Sequence, residues 1–298
     1  KSLASITKSR RNKYTPSMNL YDAEKMLADA GIDDAEFECR LLAERFLRIP
    51  MSRSAYMKTE LLDSMPDFGE FLRALEKRAT RYPIQYIIGE WEFYGLRMKV
   101  SESCLIPRPD TELVAEKAII ELKKMPKKAE YRCVDLCTGS GCIAAAVMSR
   151  VKNARFILVD ISKDALDIAK ENMELNGFSD RTTLVEADVM SEIFHSEKFD
   201  LVTANPPYIS REVMPTLEAE LEHEPRIALT DEGDGLSFYR TIINMYKYAL
   251  TDTGVIVLEH GCDQYESVSE IAEENGMSAQ VIFDYGKRKR GAVLKNVR

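Results

Sequence analysis

Val134-Asp135-Leu136-Cys137-Thr138-Gly139-Ser140-Gly141-Cys142-Ile143 decides how this chain is read. An apolar run that enters a Gly-rich turn and leaves as a helix brings backbone N–H groups and a helix N-terminus to one point, where a ligand can sit. Gly139 and Gly141 lack Cβ and permit close approach. Alone, the turn fits dinucleotides and other adenosyl ligands equally. It lacks the Lys-Ser/Thr ending of a P-loop and does not match Gly-x-Gly-x-x-Gly, so nothing in it points to a phosphate.

Working outward from this turn, strands and helices alternate from Tyr131 onward with the rhythm of a parallel sheet. Strands are predicted at Tyr131–Leu136, Arg155–Asp160, Thr182–Ala187, Phe199–Ala204 and Gly254–Glu259, with a final pair at Gln280–Asp284 and Gly291–Lys295. Helices are predicted over residues 142–151, 163–176, 236–250 and 263–275. The second strand ends in Asp160, placed to accept hydrogen bonds from two ribose hydroxyls. After the third, Asp188-Val189 offers a carboxylate to an adenine edge and an apolar side chain to its face. Either acid alone is an ordinary turn former. Three successive strand ends so equipped, on the side where open α/β sheets bind ligands, point to a ligand with ribose and adenine but no phosphate, namely S-adenosylmethionine.

The fourth strand ends in Asn205-Pro206-Pro207-Tyr208. Pro206 is pushed towards extended geometry by the proline after it, and Pro207 has φ fixed and no N–H. A side-chain amide, a stiff backbone and an aromatic face within four residues suit a planar, weakly nucleophilic nitrogen. Two prolines that merely stop a strand would look the same in isolation; the upstream strand ends favour the site.

Upstream of the sheet the period changes. Leu20, Met26, Leu27 and Ala30, then Phe37, Leu41, Leu42, Phe46 and Leu47, then Phe68, Phe71, Leu72 and Leu75 mark the apolar faces of successive helices. Residues 89–100 alternate like a hairpin about Gly95. Leu105-Ile106-Pro107-Arg108-Pro109-Asp110-Thr111-Glu112 is a rigid loop in which Asp110 is placed to cap a helix running to Lys124. The stretch 205–235 is a long irregular segment of the kind that is usually functional or mobile. The expected organisation is a disordered or expression-derived leader over 1–17, an all-helical substrate-docking domain over 18–88, a β-hairpin linker over 89–104 and a catalytic domain over 105–298.

The bulk numbers narrow the partners. A chain of 298 residues with 45% hydrophobic content is long enough for two domains with ordinary cores. A net charge of -8 argues against a surface that tracks nucleic acid along its length. No apolar run reaches the length of a membrane span. Six cysteines without Cys-x-x-Cys pairing read as small buried thiols in a reducing cytoplasm. Three histidines offer no metal-ligand spacing, and no metal is expected.

The series Asp135 to Gly141, Asp160, Asp188 and Asn205-Pro206-Pro207-Tyr208 resembles that of class I S-adenosylmethionine-dependent methyltransferases. Pro83-Ile84-Gln85-Tyr86-Ile87-Ile88-Gly89, the Ile106-Pro107-Arg108-Pro109-Asp110-Thr111-Glu112 run, Glu224-Pro225, Leu258-Glu259-His260-Gly261 and Asp284-Tyr285-Gly286 resemble the release-factor glutamine methyltransferase family (PrmC/HemK) over about residues 20–296. The resemblance implies a Rossmann-like fold with seven strands, mainly parallel and antiparallel at the last, behind a small helical domain. It implies methyl transfer to the side-chain nitrogen of the glutamine in the Gly-Gly-Gln motif of class I peptide chain release factors. S-Adenosyl-L-methionine would be the donor and S-adenosyl-L-homocysteine the product, in a monomeric cytoplasmic enzyme without direct nucleic-acid binding. The alternative sharing Asn-Pro-Pro-Tyr is a DNA adenine-N6 or RNA guanine-N2 methyltransferase. The cofactor would lie on Cys137, Thr138, Gly139, Ser140, Gly141, Asp160, Asp188, Val189 and Asn205. Arg108 and Thr111 would lie beside its methionine end. The substrate amide would lie on Asn205, Pro206, Pro207 and Tyr208. Asn205 Oδ1 and the Pro206 carbonyl would accept its N–H bonds, and Tyr208 would flank the glutamine. Cys137 stands where the family often has Gly. An extended backbone there would accept it.

Overall fold

The alternating side chains of the strands sort one sheet's two faces into two cores. In this computed structural model, which describes residues 17–191 and 197–297, the sheet contains β3 (Tyr131–Leu136), β4 (Ala154–Asp160), β5 (Thr182–Glu186), β6 (Phe199–Ala204), β7 (Leu250–Glu259), β8 (Met277–Phe283) and β9 (Lys289–Asn296). The leader expected over 1–17 lies, apart from Ser17, outside the described residues.

Tyr131, Cys133, Phe156, Leu158, Val255 and Val257 pack under α6 (Pro109–Lys124), α7 (Cys142–Arg150) and α8 (Lys163–Leu175). Their neighbours Val134, Leu136, Val159, Ile256 and Leu258 pack under α9 (Ser237–Tyr246) and α10 (Tyr265–Glu274). This is the period of two expected of strands buried on both faces. It also puts Asp135, Thr203 and Glu259 on the α6 side.

The sheet order is β5-β4-β3-β6-β7-β9-β8. β3 pairs in parallel with both β4 and β6, while β9 runs antiparallel to β7 and to β8. The last strand in sequence is therefore not at the edge; it inserts between its two predecessors. Strand order reverses between β3 and β6, the switch point at which open α/β sheets bind ligands beyond the strand carboxyl ends. The decisive turn follows β3, and Asn205-Pro206-Pro207-Tyr208 follows β6.

Two local expectations are corrected. Asp110 does not cap α6: Arg108 is the N-cap residue, Pro109 takes the first turn, and Asp110 Oδ2 lies 3.0 Å from Arg290 Nε. Proline is pre-organised for that first position. The 205–235 stretch is not structureless either. It holds 3₁₀ turns at Met214–Thr216, Ala219–His223 and Arg226–Ala228, and Ile209 bridges Thr230. It returns to its own start, with Ile209 N–H donating to Leu229 O at 2.9 Å and Arg211 N–H to Gly233 O at 3.0 Å.

Ahead of the sheet, β1 (Glu90–Phe93) and β2 (Leu96–Lys99) form the predicted hairpin. Tyr94 and Gly95 both have positive φ, the signature of a two-residue turn that matches strand twist.

A separate unit ends at Ile88. It consists of α1 (Leu20–Asp29), α2 (Ala35–Leu47), α3 (Met51–Ser54), α4 (Phe68–Ala79) and α5 (Ile84–Ile88). Asn19 and Asp22 close a reciprocal capping box on α1. Leu20, Leu27, Leu42, Phe71 and Leu75 are buried together. Phe37, assigned to the apolar face of α2 by spacing, is exposed; Ala35, Cys39, Leu42 and Ala43 make that face. Small residues let helices approach, and spacing alone weighted the large one too heavily.

Candidate active site

Four strand ends and two covering segments enclose a cavity of about 270 Å³. Thr138, Gly139 and Ser140 of the turn line it, as do Cys137, Asp160, Asp188, Val189, Asn205 and Pro207. Two further walls come from Ser103, Cys104, Leu105, Pro107 and Arg108 with Thr111, and from Pro225, Ile227 and Ala228 with Phe238. Pro206 and Tyr208 are not on this wall. Gly141 opens α7 behind the turn.

Buried acids tie the turn in place. Thr138 Oγ1 donates to Asp135 Oδ2 at 2.5 Å, and Thr203 Oγ1 donates to Asp135 Oδ1 at 2.6 Å. Burial pushes the Asp135 carboxyl up to about 6 against these two bonds. Thr138 N–H donates to Val159 O at 3.0 Å, so the turn is also pinned to β4. The fully buried Asn172 of α8 donates to Ser140 O at 2.9 Å and to Lys99 O at 3.0 Å, and accepts from Lys99 N–H at 2.6 Å. One side chain thus fastens the hairpin to the turn. Sequence reasoning missed it, because an Asn inside a helical pattern carries no sign of its partners.

Asp160 Oδ2 accepts the Gly139 N–H and Oδ1 the Ser162 N–H, each at 2.9 Å. Burial raises its pKa while these backbone donors oppose the shift. Each oxygen keeps a second lone pair, enough for two vicinal hydroxyls. Asp188 Oδ1 accepts the Met190 N–H at 2.9 Å, and Val189 is buried beside it. An acid pair beside an apolar wall can hold a nucleoside.

Cys137 departs from expectation. Its φ is +55°, a left-handed conformation and not the extended one that would accept any side chain. The thiol is half-buried among apolar neighbours, and burial pushes its pKa well up, with Asp160 and Asp135 adding repulsion. That environment disfavours the thiolate, the nucleophilic form.

Asn205 Nδ2 donates to Thr111 Oγ1 at 3.4 Å. The amide's donor side faces α6, and its Oδ1 has no donor among the described residues. Tyr208 points the other way: its ring packs against the α9 core and its hydroxyl donates to Glu259 Oε1 at 3.3 Å. The Tyr208 carbonyl accepts from Gln264 Nε2 at 2.9 Å. Arg108 is ion-paired to the buried Glu224, whose Oε2 accepts the Ile106 N–H at 3.0 Å. The 3₁₀ segment thereby locks the Pro-rich loop over the cavity. Glu224, Ile227 and Phe238 were not singled out as site residues; Glu224 beside Pro225 was the one available hint.

Known proteins resemble this chain over most of its length. The Methyltransferase small domain family matches residues 117–247, and the PrmC N-terminal domain family matches residues 20–89. A release factor glutamine methyltransferase of Moorella thermoacetica is 35% identical over 274 residues, covering 91% of this chain and 95% of that protein. One of Fusobacterium nucleatum is 39% identical over 217 residues, 72% of this chain and 60% of that protein. The crystal structure of the hMettl16 catalytic domain in complex with MAT2A 3'UTR hairpin 6 aligns with a TM-score of 0.52 at 17% identity, covering 76% of this chain and 80% of that one. At that identity the likeness is one of fold.

Proposed function

The chain belongs to the release factor glutamine methyltransferase family, and from that premise we propose that it methylates the side-chain amide nitrogen of the glutamine in the Gly-Gly-Gln motif of class I peptide chain release factors. S-Adenosylmethionine is the proposed donor, and when bound it supplies a methyl group on a good leaving group. Asp160 would take the ribose hydroxyls, and Asp188 with Val189 the adenine. Residues 137–141 would support the remainder by close backbone approach.

The chain's task is the nucleophile. An amide nitrogen has its lone pair delocalised into the carbonyl, so it must be held in line at near-attack distance, where orientation alone supplies several kcal/mol. Asn205 Oδ1 and the Pro206 carbonyl would accept the two amide N–H bonds and stabilise the charge that develops on nitrogen. Pro207 stiffens this grip, and Tyr208, packed on the α9 side and not on the cavity wall, would anchor the turn and not flank the glutamine stem. The observation that carries the reading is the Asn205–Thr111 bond: with the amide's Nδ2 end turned to Thr111, its Oδ1 is left to accept from the substrate. The helical unit before Gly89 is the proposed docking element for the release factor.

The test incubates the protein with labelled S-adenosylmethionine and a purified release factor, beside a release factor whose motif glutamine is replaced. Label on the native factor alone supports the proposal. Label persisting on the replaced factor, or appearing on DNA or RNA instead, overturns it.

A further inference from the structure

From Tyr208 to Ala228 the one buried residue is Glu224. A compact loop usually packs on its own apolar side chains, yet Val213 and Ile227 are exposed here and an acid goes inside. The loop is otherwise tied to itself. Ile209 bonds Leu229 and Arg211 bonds Gly233 through the backbone, and Arg226 grips Glu232 at 2.5 and 3.0 Å. Its base is pinned: Asp231 accepts the Gly233, Gly235 and Ser237 N–H groups at 2.8, 2.9 and 3.1 Å, and Gln264 Nε2 donates to Gly235 O at 3.2 Å.

Glu224 ties this loop to the opposite wall. Its Oε2 accepts the Ile106 N–H at 3.0 Å, and its Oε1 accepts from Arg108 Nη2. The segments on either side both line the cavity, with Pro107 and Arg108 on one wall and Pro225 and Ile227 on the other. Glu224 itself is not on the wall. Its side chain is 1% exposed, so parting the walls forfeits two charge-assisted bonds of the stronger kind. We propose that Glu224 is the latch of a lid, residues 209–233. It is a positioning residue that, acting through Ile106 and Arg108, sets how fast S-adenosylmethionine enters and leaves. The inference rests on the cofactor reading given above, not on the methyl acceptor.

The latch has a kinetic signature. Entry and exit both require the walls to part, and lids of this kind gate ligand exchange. Weakening the latch therefore raises kon and koff together and leaves their ratio, the Kd, nearly unchanged. Loss of a side chain that gripped the ligand would instead raise koff and Kd together. A loop with no buried apolar anchor between Tyr208 and Ala228 can open locally while the sheet stays folded.

The experiment compares the wild type with Glu224→Ala, Glu224→Gln and Glu232→Gln. Glu224→Gln keeps an accepting oxygen but no charge for Arg108, and Glu232→Gln loosens the loop's own Arg226 pair without touching the latch. Binding of labelled S-adenosylmethionine is followed by rapid filtration, and its release by an unlabelled chase. Expected are kon and koff both about tenfold or more above wild type in Glu224→Ala, and smaller rises in Glu224→Gln. The Kd should stay within about threefold in each, and Glu232→Gln should keep wild-type rates. In the ligand-free protein, hydrogen exchange at the Ile106 amide should quicken in Glu224→Ala and not in Glu232→Gln. Unchanged rates, a rise in koff and Kd alone, or an equal rise in Glu232→Gln overturns the inference. If Glu224→Ala does not fold, Glu224→Gln and the wild type decide. A wild-type koff faster than Ile106 opening, read where opening limits exchange, overturns it. A wild type that binds no S-adenosylmethionine sinks the proposed function, and the ligand-free exchange still judges the latch. Release factor is absent throughout, so failure of methylation is a separate result.

Discussion

Asp160 Oδ2 accepts the Gly139 N–H at 2.9 Å, so the acid at the end of β4 and the turn after β3 form a single unit. The acid therefore does two things at once: it offers lone pairs to a ligand and holds the loop that the ligand lies on. Asp160→Ala should weaken S-adenosylmethionine binding by about 10- to 100-fold, the loss of one or two hydrogen bonds to a charged acceptor. Asp160→Asn, which keeps one accepting oxygen, should fall between. Calorimetric titration checks this, and an unchanged affinity in Asp160→Ala would remove it from the site.

Asn205 stands opposite in role. Asn205→Ala should leave cofactor affinity within a few-fold yet drop transfer to the release factor by at least ~100-fold, since one acceptor aimed at developing charge is worth that much. Single-turnover kinetics with saturating cofactor would show it. Full activity would remove Asn205 from the grip.

Cys137 carries a side chain at φ +55°. Cys137→Gly should leave stability within about 1 kcal/mol of wild type, because relief of left-handed strain offsets the lost packing of the thiol. Cys137→Val should cost at least ~2 kcal/mol, since a β-branched side chain tolerates that backbone worst. Urea unfolding of the two variants decides; equal stabilities would contradict the strain argument.

Gly235 is where backbone meets backbone. A Cβ there would lie 2.3 Å from the Tyr208 carbonyl oxygen and 2.8 Å from Gln264 Nε2, and its φ is +78°. Gly235→Ala should therefore destabilise by roughly 2–4 kcal/mol and reduce kcat by shifting the Asn-Pro-Pro-Tyr turn. A variant with wild-type melting temperature and kcat would show that the turn can yield.

Asp135 gives a pH signature of stability. Its folded pKa, about 6, lies above its ordinary 3.8. The native state thus binds the proton more tightly than the unfolded state. The stability this contributes is fully present below about pH 4 and is lost as pH rises through about 6. At 1.36 kcal/mol per unit, the change is at most about 3 kcal/mol. In unfolding measured from pH 4 to 7, wild type should lose stability relative to Asp135→Asn. Parallel curves would refute the shift.

The strands of the sheet were legible because burial on two faces imposes a period of two and Gly or Asp marks their ends. Asp160, Asp188 and Asn205 were legible as cavity-lining residues because each stands at the end of such a strand or within two residues of it. Phe37 was misjudged because spacing cannot distinguish a helix face packed by Ala and Cys from one packed by a large ring. Cys137 was misjudged because a backbone φ is set by the turn it closes, which a list of residues does not display.

Local chemistry was determined by the sequence alone: a Gly-rich turn, acids after strands, and an amide stiffened by two prolines. The partners that aim those groups were decided by tertiary structure. Thr111 bonds Asn205 across 94 positions, Glu224 holds Ile106 across 118, and Asn172 joins the hairpin across 73. Hydrogen bonds act over about 3 Å of space whatever the distance along the chain. A motif can thus announce the reacting group, but only the packed sheet and helices bring up the side chains that orient it.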